Sequence, residues 1–378
     1  MSVRNNIKGC LLKLKDGRLQ QMGGIVLYLI GVFFVIGGID YVAGNPLNLG
    51  QKFEEGIKAM GAVGLGMIGI YSLSPVISQV LSKAVIPVSR LFNVDPSAFA
   101  ASFLAVDMGG YQIARDLALN EKTGLFSGII VASNLGAAIS FSIPVAIGII
   151  SKDEQKFFSK GVMVGIVSIP FGCFVAGLSY GLSTFYLLKN MLPVLVISAI
   201  VGVGLWLMPK ILFRCFDIFG RIIIGLSIVG LLAQGGRSVF GFDLGLKIVS
   251  MKEVMAVVGK IAFVLAGAYP MLAMLDRLFS SFLRKIGNRY GINGASIMGL
   301  VGNLATNLLV FGNFKDMNPK GKVICSAFAI SGAFVFGGQM GFVSGVAPHM
   351  IMPFIISKFA AGILSIFLAS WMWERWKI

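Results

Sequence analysis

The chain has 378 residues, of which 56% are hydrophobic and only 13% are charged, and 49 are glycine. This composition excludes an ordinary soluble domain and indicates a polytopic helical membrane protein. Lysine and arginine number 32 against 16 acidic residues. Because these basic residues lie mostly in short gaps between apolar runs, they suit helix orientation and contact with anionic headgroups, and we exclude nucleic acid as a partner.

The amino-terminal segment, residues 1–22, is basic and precedes the first apolar run. No small-residue cleavage site follows a short apolar core, so the segment lacks the pattern of a cleaved signal peptide. We therefore predict a cytoplasmic amino-terminal segment over residues 1–22 and an uncleaved first span. A single transmembrane transport domain then occupies residues 23–376, because no gap is long enough for a separate soluble domain.

The rest of the chain is a series of apolar runs near or above the length that crosses a bilayer. The series predicts an all-α polytopic membrane protein with about 10–11 transmembrane helices. The runs fall roughly at 23–43, 56–81, 96–114, 124–150, 157–184, 187–208, 211–234, 252–276, 292–313, 322–347 and 350–373.

Glu54 and Glu55 stand where the second apolar run opens. Carboxylates near the amino end of a helix interact favourably with the helix dipole. A capping role is therefore favoured for this pair, and a binding role is the alternative.

The most basic internal gap runs from Arg277 to Arg289. If every run crosses the membrane, eight crossings place this gap on the same side as the amino terminus, as the positive-inside rule requires. A re-entrant run would reverse the side of everything that follows it.

Two of the runs differ from simple spans. The third run places Asp107 directly before Met108, Gly109 and Gly110 inside an apolar stretch, and the run from Ile292 to Asn313 carries amides and a hydroxyl among small residues. An ionised Asp is costly in lipid and a glycine pair loosens a helix. We therefore predict two broken or re-entrant segments that bind solute. The alternative is that Asp107 lies at a helix end and faces water.

The order of features predicts an internal repeat, with halves at about 53–184 and 251–373. Each half has a Gly-rich span, a basic gap, a short polar-broken run, a charged gap and two long spans. The sequence does not show whether the copies are parallel or inverted. An offset of 198 residues pairs Gly69 with Gly267, Tyr71 with Tyr269 and Lys160 with Lys358.

Polar side chains share helical faces in both broken runs. Asp107 and Tyr111 are four residues apart, and so are Asn303 and Asn307, with Thr306 beside them. A small cation needs a carboxylate for its charge, amides or hydroxyls for hydrogen bonds and an aromatic face for an ammonium group. These faces predict a solute site, although the amides equally suit bonds between neighbouring helices.

Catalytic and metal chemistry lack the residues that they need. The four cysteines are widely spaced, and the single histidine, His349, lies beside Pro348 in a predicted turn. We expect no catalytic residue, no metal and no cofactor, and we interpret the chain as a transporter rather than an enzyme. A membrane receptor or scaffold is the alternative. The sequence does not indicate an oligomeric state.

Several short motifs occur in one order and cover the chain from about residue 23 to 370. They are Phe53-Glu54-Glu55-Gly56 followed by Ala59-Met60-Gly61-Ala62, Asp107-Met108-Gly109-Gly110, Phe141-Ser142-Ile143-Pro144-Val145-Ala146, Gly267-Ala268-Tyr269-Pro270-Met271 and Lys320-Gly321-Lys322-Val323. In this order they strongly resemble the ethanolamine permease family, known as EutH, of bacterial ethanolamine-utilisation systems.

The resemblance implies a multi-pass protein of the bacterial inner (plasma) membrane that imports ethanolamine for degradation. Its partners would be the small-molecule substrate, ethanolamine or a related amine, and the lipid bilayer. The alternative is a transporter of another small cationic or polar solute. Selection by small polar contacts favours alternating access around a midplane site, by facilitated or ion-coupled transport.

For a cationic solute, Asp107 would supply the charge, beside a helix opened at Gly109 and Gly110. Neutral partners for the solute are predicted among the nearby amide and hydroxyl side chains. These are Tyr111, Gln112, Asn303, Thr306, Asn307 and Gln339.

The chain departs from the family pattern in two places. Where members tend to carry Pro-Met-Phe, this sequence has Leu308-Leu309-Val310-Phe311. Where they tend to carry Gly-Asp-His before Leu-Gly-Phe, it has Gly337-Gly338-Gln339 before Met340-Gly341-Phe342. The second change removes an ionisable pair, so we expect an altered substrate or altered coupling to originate there.

Overall fold

A computed structural model describes the backbone of residues 2–376, and their side chains except at 2–20, 62–63, 280–284, 286, 288 and 290. Residues 2–376 are mostly helical and contain no strand, which confirms the all-α class. Two π-helical stretches, Phe126–Gly136 and Ala138–Ser142, continue α5. The α-helices are α1 (Ser2–Val42), α2 (Gly50–Phe92), α3 (Ser97–Phe103), α4 (Tyr111–Leu117), α5 (Glu121–Leu125), α6 (Ile143–Ile149), α7 (Gln155–Ser179), α8 (Thr184–Asn190), α9 (Leu192–Leu207), α10 (Pro209–Gly235), α11 (Met251–Tyr290), α12 (Gly294–Gly302), α13 (Leu308–Gly312), α14 (Pro319–Ser331), α15 (Gly338–Val346) and α16 (Ile351–Arg375).

Seven helical segments of the described residues are long and apolar enough to cross a membrane, and the bent pair α8 and α9 makes an eighth. Lys320 at the start of α14 lies 3.8 Å from Glu374 at the end of α16, and a Cβ on Gly23 at the start of the first span would lie 3.7 Å from the Pro348 carbonyl just after α15. From these positions we count α14 and α15 together as a ninth, interrupted crossing. The remaining membrane segments between residues 2 and 376 are two hairpins. The eleven apolar runs of the sequence thus correspond to nine crossings and two re-entrant hairpins.

Each hairpin ends close to the point where it begins. In hairpin 1, residues 94–119, the Asp95 carboxylate accepts a hydrogen bond from the backbone N–H of Leu119 at 3.1 Å. In hairpin 2, residues 292–318, the Asn293 side-chain amide donates a hydrogen bond of 2.8 Å to the backbone carbonyl of Asp316, which follows α13. Side chains just before the start of α3 and of α12, Asp95 and Asn293, therefore close the base of each hairpin.

The two hairpin bases lie at opposite ends of α7. This helix has 25 residues and is about 37 Å long at the usual helical rise. Lys322, at the base of hairpin 2, pairs with Glu154 at the start of α7 at 2.5 Å. Lys122, at the base of hairpin 1, donates to the carbonyl of Gly181 just after the end of α7 at 3.1 Å. The hairpins consequently enter the membrane from opposite faces.

We call the face where the first span begins the N face. A Cβ on Gly23 of α1 would lie 3.6 Å from the Cβ of Ile351, so α16 begins on the N face. α16 ends on the opposite face, where Glu374 lies 3.8 Å from Lys320 at the base of hairpin 2. Hairpin 2 therefore enters from the opposite face and hairpin 1 from the N face.

The elements of the two halves correspond in the same order. In the first half, the order is α1, α2, hairpin 1, α5 to α6 and α7. In the second half, the corresponding order is α10, α11, hairpin 2, α14 to α15 and α16, and α8 and α9 lie between the halves. A Cβ on Gly69 of α2 would meet the Ser227 carbonyl of α10, and a Cβ on Gly267 of α11 would meet the Ile30 carbonyl of α1. Because the hairpins enter from opposite faces, the two halves are inverted, which supports the proposed duplication.

The segment around Arg277 lies on the face opposite the amino terminus. Arg277 Nη1 donates to the carbonyl of Leu47, in the loop that follows α1, at 2.6 Å. The prediction that residues 277–289 share a side with the amino terminus is therefore wrong. Hairpin 1 does not cross the membrane, so seven crossings rather than eight precede this segment.

α2 begins at Gly50, ahead of Glu54 and Glu55, so the capping role predicted for these two residues is wrong. The cap is the Asp40 carboxylate at the end of α1, which accepts three backbone N–H groups, the shortest from Gly50 at 2.7 Å. Glu55 instead forms an ion pair with Lys52 at 2.7 Å. The buried Asp40 thereby fixes the direction in which the chain re-enters the membrane.

Candidate functional site

Hairpin 1 turns at a backbone break, which confirms the predicted interruption at Asp107. Met108 has φ −110° and ψ 46°, and Gly109 has φ 84°. The latter value lies in the left-handed region, which glycine adopts without the steric cost of a side chain. Gly110 allows close packing, because a Cβ there would collide with the Leu104 carbonyl oxygen. The two glycines thus form the tip that presents Asp107.

Hairpin 2 turns between α12 and α13, and its tip pairs with the break between α14 and α15. Phe334 N–H donates to the Asn303 carbonyl at 2.9 Å, and Phe336 N–H donates to the Leu304 carbonyl at 2.8 Å. Unpaired backbone polar groups are costly in lipid, so each break supplies partners for the other. Phe334 has φ 66°, a strained value for a bulky residue.

A cavity of about 380 Å³ lies where the two hairpin tips meet α2 and α11. Hairpin 1 contributes Asp107 and Met108, hairpin 2 contributes Thr306 and Leu308, and α15 contributes Gln339. The rest of the wall is mainly apolar and aromatic, and includes Met67, Phe141, Leu265, Tyr269, Phe334 and Gly338. A few polar groups in an apolar wall are typical of a small-molecule site.

Asp107 is the carboxylate of this cavity. It is partly accessible, and no described lysine or arginine forms an ion pair with it. It lies at the tip of a re-entrant hairpin and not at a helix end that faces bulk water. A carboxylate inside the membrane without a direct cationic partner suits a cationic ligand.

Two more predicted residues reach the same cavity. Gln339 is 3% exposed, and its side-chain oxygen has no hydrogen-bond partner in the described structure. The Thr306 hydroxyl accepts the backbone N–H of Leu308 at 3.3 Å, which leaves the hydroxyl free to donate. Asp107, Thr306 and Gln339 therefore bring one charge and two neutral polar groups together.

Asn303 and Asn307 are fully buried and do not line the cavity. Asn303 Nδ2 donates to the carbonyl of Cys325 at 3.3 Å, and Asn307 Nδ2 donates to the hydroxyl of Ser142 at 2.8 Å. They hold hairpin 2 against α14 and against the π-helical stretch Ala138–Ser142. Bonding between neighbouring helices is the alternative role that the sequence left open for these amides. Their assignment to the solute site stays a prediction.

Tyr111 and Gln112 also lie outside the cavity wall. The Tyr111 hydroxyl accepts from Arg115 Nη1 at 3.2 Å, and the ring packs edge-on to Phe342 at 5.7 Å. Gln112 is half-buried on the next position of the same helix, outside the cavity wall. Two residues four positions apart share a helical face only if the helix between them is continuous. The break at Gly109 interrupts the helix between Asp107 and Tyr111, so the predicted shared face is lost.

The aromatic wall was not predicted. Tyr269 stands in the motif Gly267 to Met271 and is paired with Tyr71 at the repeat offset, so the sequence held a signal for it. Phe334 carries no such signal, because its position depends on the break after α14. Aromatic faces are suited to an ammonium group.

A second cavity, of about 420 Å³, shares Tyr269, Ala305 and Thr306 with the first and extends toward Glu55 and Lys52 on the opposite face. On the N-face side of the first cavity, the Tyr71 hydroxyl instead donates to Glu253 at 3.3 Å. Tyr71 and Tyr269, and likewise Glu55 and Glu253, are 198 residues apart. A tyrosine and a glutamate thus occur on both sides of the site. Only the pair on the N-face side, Tyr71 and Glu253, is joined by a hydrogen bond in the described structure.

Both departures from the family pattern adjoin the site. Leu308 belongs to the first departure, and Gly338 and Gln339 to the second, and all three line the cavity. Selectivity is decided by groups that contact the solute. Both predicted departures therefore contribute residues to the cavity wall.

A multi-pass helical bundle with a solute-sized cavity between opposed re-entrant hairpins points to a membrane transport protein. The chain matches the family described as ethanolamine utilisation protein, EutH, over residues 22–372. It belongs to the EutH family. No solved structure matches it.

Three relatives show the extent of the similarity. The chain is 40% identical to the probable ethanolamine permease EutH of Listeria monocytogenes, over 94% of this chain and 95% of that protein. It is 38% identical to the uncharacterized protein YxeR of Bacillus subtilis, over 92% and 94%. It is 37% identical to the probable ethanolamine permease EutH of Salmonella typhimurium, over 91% and 94%. Permease relatives and a polytopic fold point to a transporter rather than an enzyme.

Proposed function

We propose that this protein is a permease of the bacterial inner membrane that imports ethanolamine for degradation. The observation that carries the proposal is Asp107, a carboxylate without an ion-pair partner in the described structure, held at the tip of a re-entrant hairpin in the cavity wall. The permease names of the Listeria and Salmonella relatives support the same substrate.

The chemistry of the cavity suits a protonated amino alcohol. Asp107 replaces the water that stabilises the ammonium group, and the rings of Tyr269, Phe141 and Phe334 offer aromatic faces to the same group. Thr306 and Gln339 lie in the same wall and provide partners for the hydroxyl. A membrane potential that is negative inside favours import of a cation by about 2.3 kcal/mol per 100 mV, so facilitated transport suffices.

The two Tyr–Glu combinations suggest how access alternates. Tyr71 and Glu253 are joined on the N-face side, whereas on the opposite side Glu55 pairs with Lys52 at 2.7 Å and leaves the passage beside Tyr269 open. In the alternative state, Tyr269 and Glu55 would approach and the Tyr71–Glu253 contact would open. Inverted repeats produce two such states by exchanging the conformations of their halves.

Uptake of radiolabelled ethanolamine into proteoliposomes tests the proposal. Wild-type protein should accumulate label above empty vesicles, and Asp107→Asn should reduce uptake at least tenfold, about 1.4 kcal/mol. Asp217→Asn is the matched control, since Asp217 is a surface residue of α10 paired with Arg221. No uptake across a panel of small amines would refute transport and favour a receptor or scaffold.

The same assay separates ethanolamine from other small cations. The Leu308 and Gly338-Gln339 departures favour a changed substrate range, so unlabelled choline, ethylamine and 1-amino-2-propanol should be tested as competitors. Ethanolamine should compete most strongly. Stronger competition by another amine would assign the cavity to that solute and preserve the transporter class.

We place the amino terminus in the cytoplasm, because residues 1–22 are basic. Residues 277–289 then lie outside, since they are on the opposite face. A fluorescent protein fused to the amino terminus should fluoresce, and alkaline phosphatase fused after residue 290 should be active. The reverse pattern would overturn this orientation.

A further inference from the structure

Lys358 in α16 is a lysine buried within the membrane core of the protein. It is 1% exposed and does not line the cavity. Its ammonium group donates to the carbonyl of Ser133. No described carboxylate forms an ion pair with it. A charged side chain at such a position is costly and is retained where it has a task in transport.

Lys358 is anchored to the segment on which the Asp107 tip rests. Ser133 belongs to the π-helical stretch Phe126–Gly136, and its neighbour Ala132 packs against hairpin 1. A Cβ on Gly110 would lie 3.0 Å from the Ala132 Cβ. Lys358 and the tip that carries Asp107 therefore rest on the same segment, and opposite charges separated only by protein attract each other beyond contact distance.

This geometry gives the unloaded site a net charge near zero. When the solute ammonium group binds Asp107, the site gains one positive charge. Without Lys358, the loaded site would be neutral, and the unloaded site would carry a bare carboxylate in a medium of low dielectric. An uncompensated buried charge is far more costly than a compensated one.

We propose that Lys358 is the counter-charge of Asp107 that allows the unloaded carrier to return across the membrane. It is a positioning residue that acts through the electrostatics of the site and does not contact the solute. This inference rests on the proposed transport of a cation. It concerns the return step, which net uptake requires and solute exchange does not.

The test compares net uptake with exchange in proteoliposomes. Net uptake is measured into vesicles without solute, and exchange is measured into vesicles preloaded with unlabelled ethanolamine. Lys358→Met should lower net uptake at least about tenfold, because the unloaded variant carries a bare carboxylate, and exchange should be at least as fast as in the wild type, because the loaded variant is neutral. The KM for exchange should fall, because the variant no longer places a positive charge near the bound cation.

Lys160→Met is the matched control. Lys160 lies 198 residues before Lys358, at the start of α7, where its ammonium group is 4.8 Å from the centre of the Trp376 ring. It is half-buried and far from the π-helical stretch that holds Lys358. Both net uptake and exchange should remain at the wild-type level in this variant.

Two outcomes would overturn the proposal for Lys358 alone. These are an equal loss of net uptake and exchange in Lys358→Met, and no change in either.

A wild-type measurement applies even if the variant does not fold. Because the unloaded wild-type carrier is charge-balanced, its net uptake should be within a few-fold of exchange, and stimulation by internal solute beyond about tenfold would contradict the role. Wild-type protein that moved ethanolamine in neither mode would refute both the proposed function and this role.

Discussion

The two hairpins occupy corresponding positions in the two halves, and in the proposed site they would divide the recognition of one solute. Hairpin 1 presents a carboxylate at Asp107, on a tip shaped by the left-handed Gly109. Hairpin 2 presents the neutral hydroxyl of Thr306, and its buried amides hold helices together. In the proposed site, one copy of the repeated element thus supplies a charge and the other supplies a hydrogen bond.

The backbone around each tip differs in the same way. Hairpin 1 packs on a continuous π-helical stretch, and Ala105 N–H donates to the Ser140 hydroxyl at 3.0 Å. Hairpin 2 packs on a true break, whose N–H groups at Phe334 and Phe336 donate to its carbonyls. Both arrangements satisfy polar backbone inside the membrane. Only the second arrangement interrupts the helix between α14 and α15, and this break places Gln339 in the cavity wall.

The largest expected difference between the hairpins concerns their glycines. Gly109→Ala should reduce ethanolamine uptake at least tenfold, because the left-handed conformation costs a side chain about 1–2 kcal/mol and the new Cβ would lie 2.7 Å from Ile70 Cγ2. Gly302→Ala, next to the tip of hairpin 2, is the control. Its nearest neighbour would be 3.6 Å away, so uptake should not change. Equal effects of the two variants would remove the special role of the hairpin 1 tip.

The asymmetry of the two Tyr–Glu combinations predicts a smaller effect on access. In a Thr306→Cys protein with Cys10 and Cys215 replaced by serine, Tyr71→Phe should raise the rate of labelling from the N face by an impermeant maleimide about fivefold. The Tyr71→Phe change removes the hydrogen bond to Glu253, which is worth about 1 kcal/mol. Tyr269→Phe should leave this rate unchanged, since no described hydrogen bond joins Tyr269 to Glu55. A larger increase in Tyr269→Phe would reverse the assignment of the closed side.

The smallest expected effect concerns recognition of the hydroxyl. Gln339→Leu should weaken ethanolamine binding about three- to tenfold through loss of a hydrogen bond, and binding of ethylamine, which lacks the hydroxyl, should not change. Gln112→Leu provides the comparison, because Gln112 lies outside the cavity wall. If Gln112→Leu alone lowered the preference for ethanolamine, the sequence-based assignment of Gln112 would stand and that of Gln339 would fall.

The sequence predicted the fold class and the break at Asp107, because apolar length, a glycine pair and an intramembrane carboxylate are local features. It did not predict which runs cross, since a hairpin and a span have similar composition. The error for residues 277–289 follows from that limit. The helical-face argument failed for Tyr111 because the break at Gly109 ends the helix on which it depended. Lys358 was paired with Lys160 by the repeat offset, but its burial and its contact with Ser133 depend on tertiary packing.

Equilibrium binding tests the central claim most directly, because it separates recognition at Asp107 from movement of the carrier. Purified wild-type protein, Asp107→Asn and Asp217→Asn should be titrated with labelled ethanolamine in a scintillation proximity assay. Wild type and Asp217→Asn should bind saturably with equal affinity, and Asp107→Asn should bind at least about tenfold more weakly. Equal affinity in all three proteins would contradict a site organised around the Asp107 carboxylate.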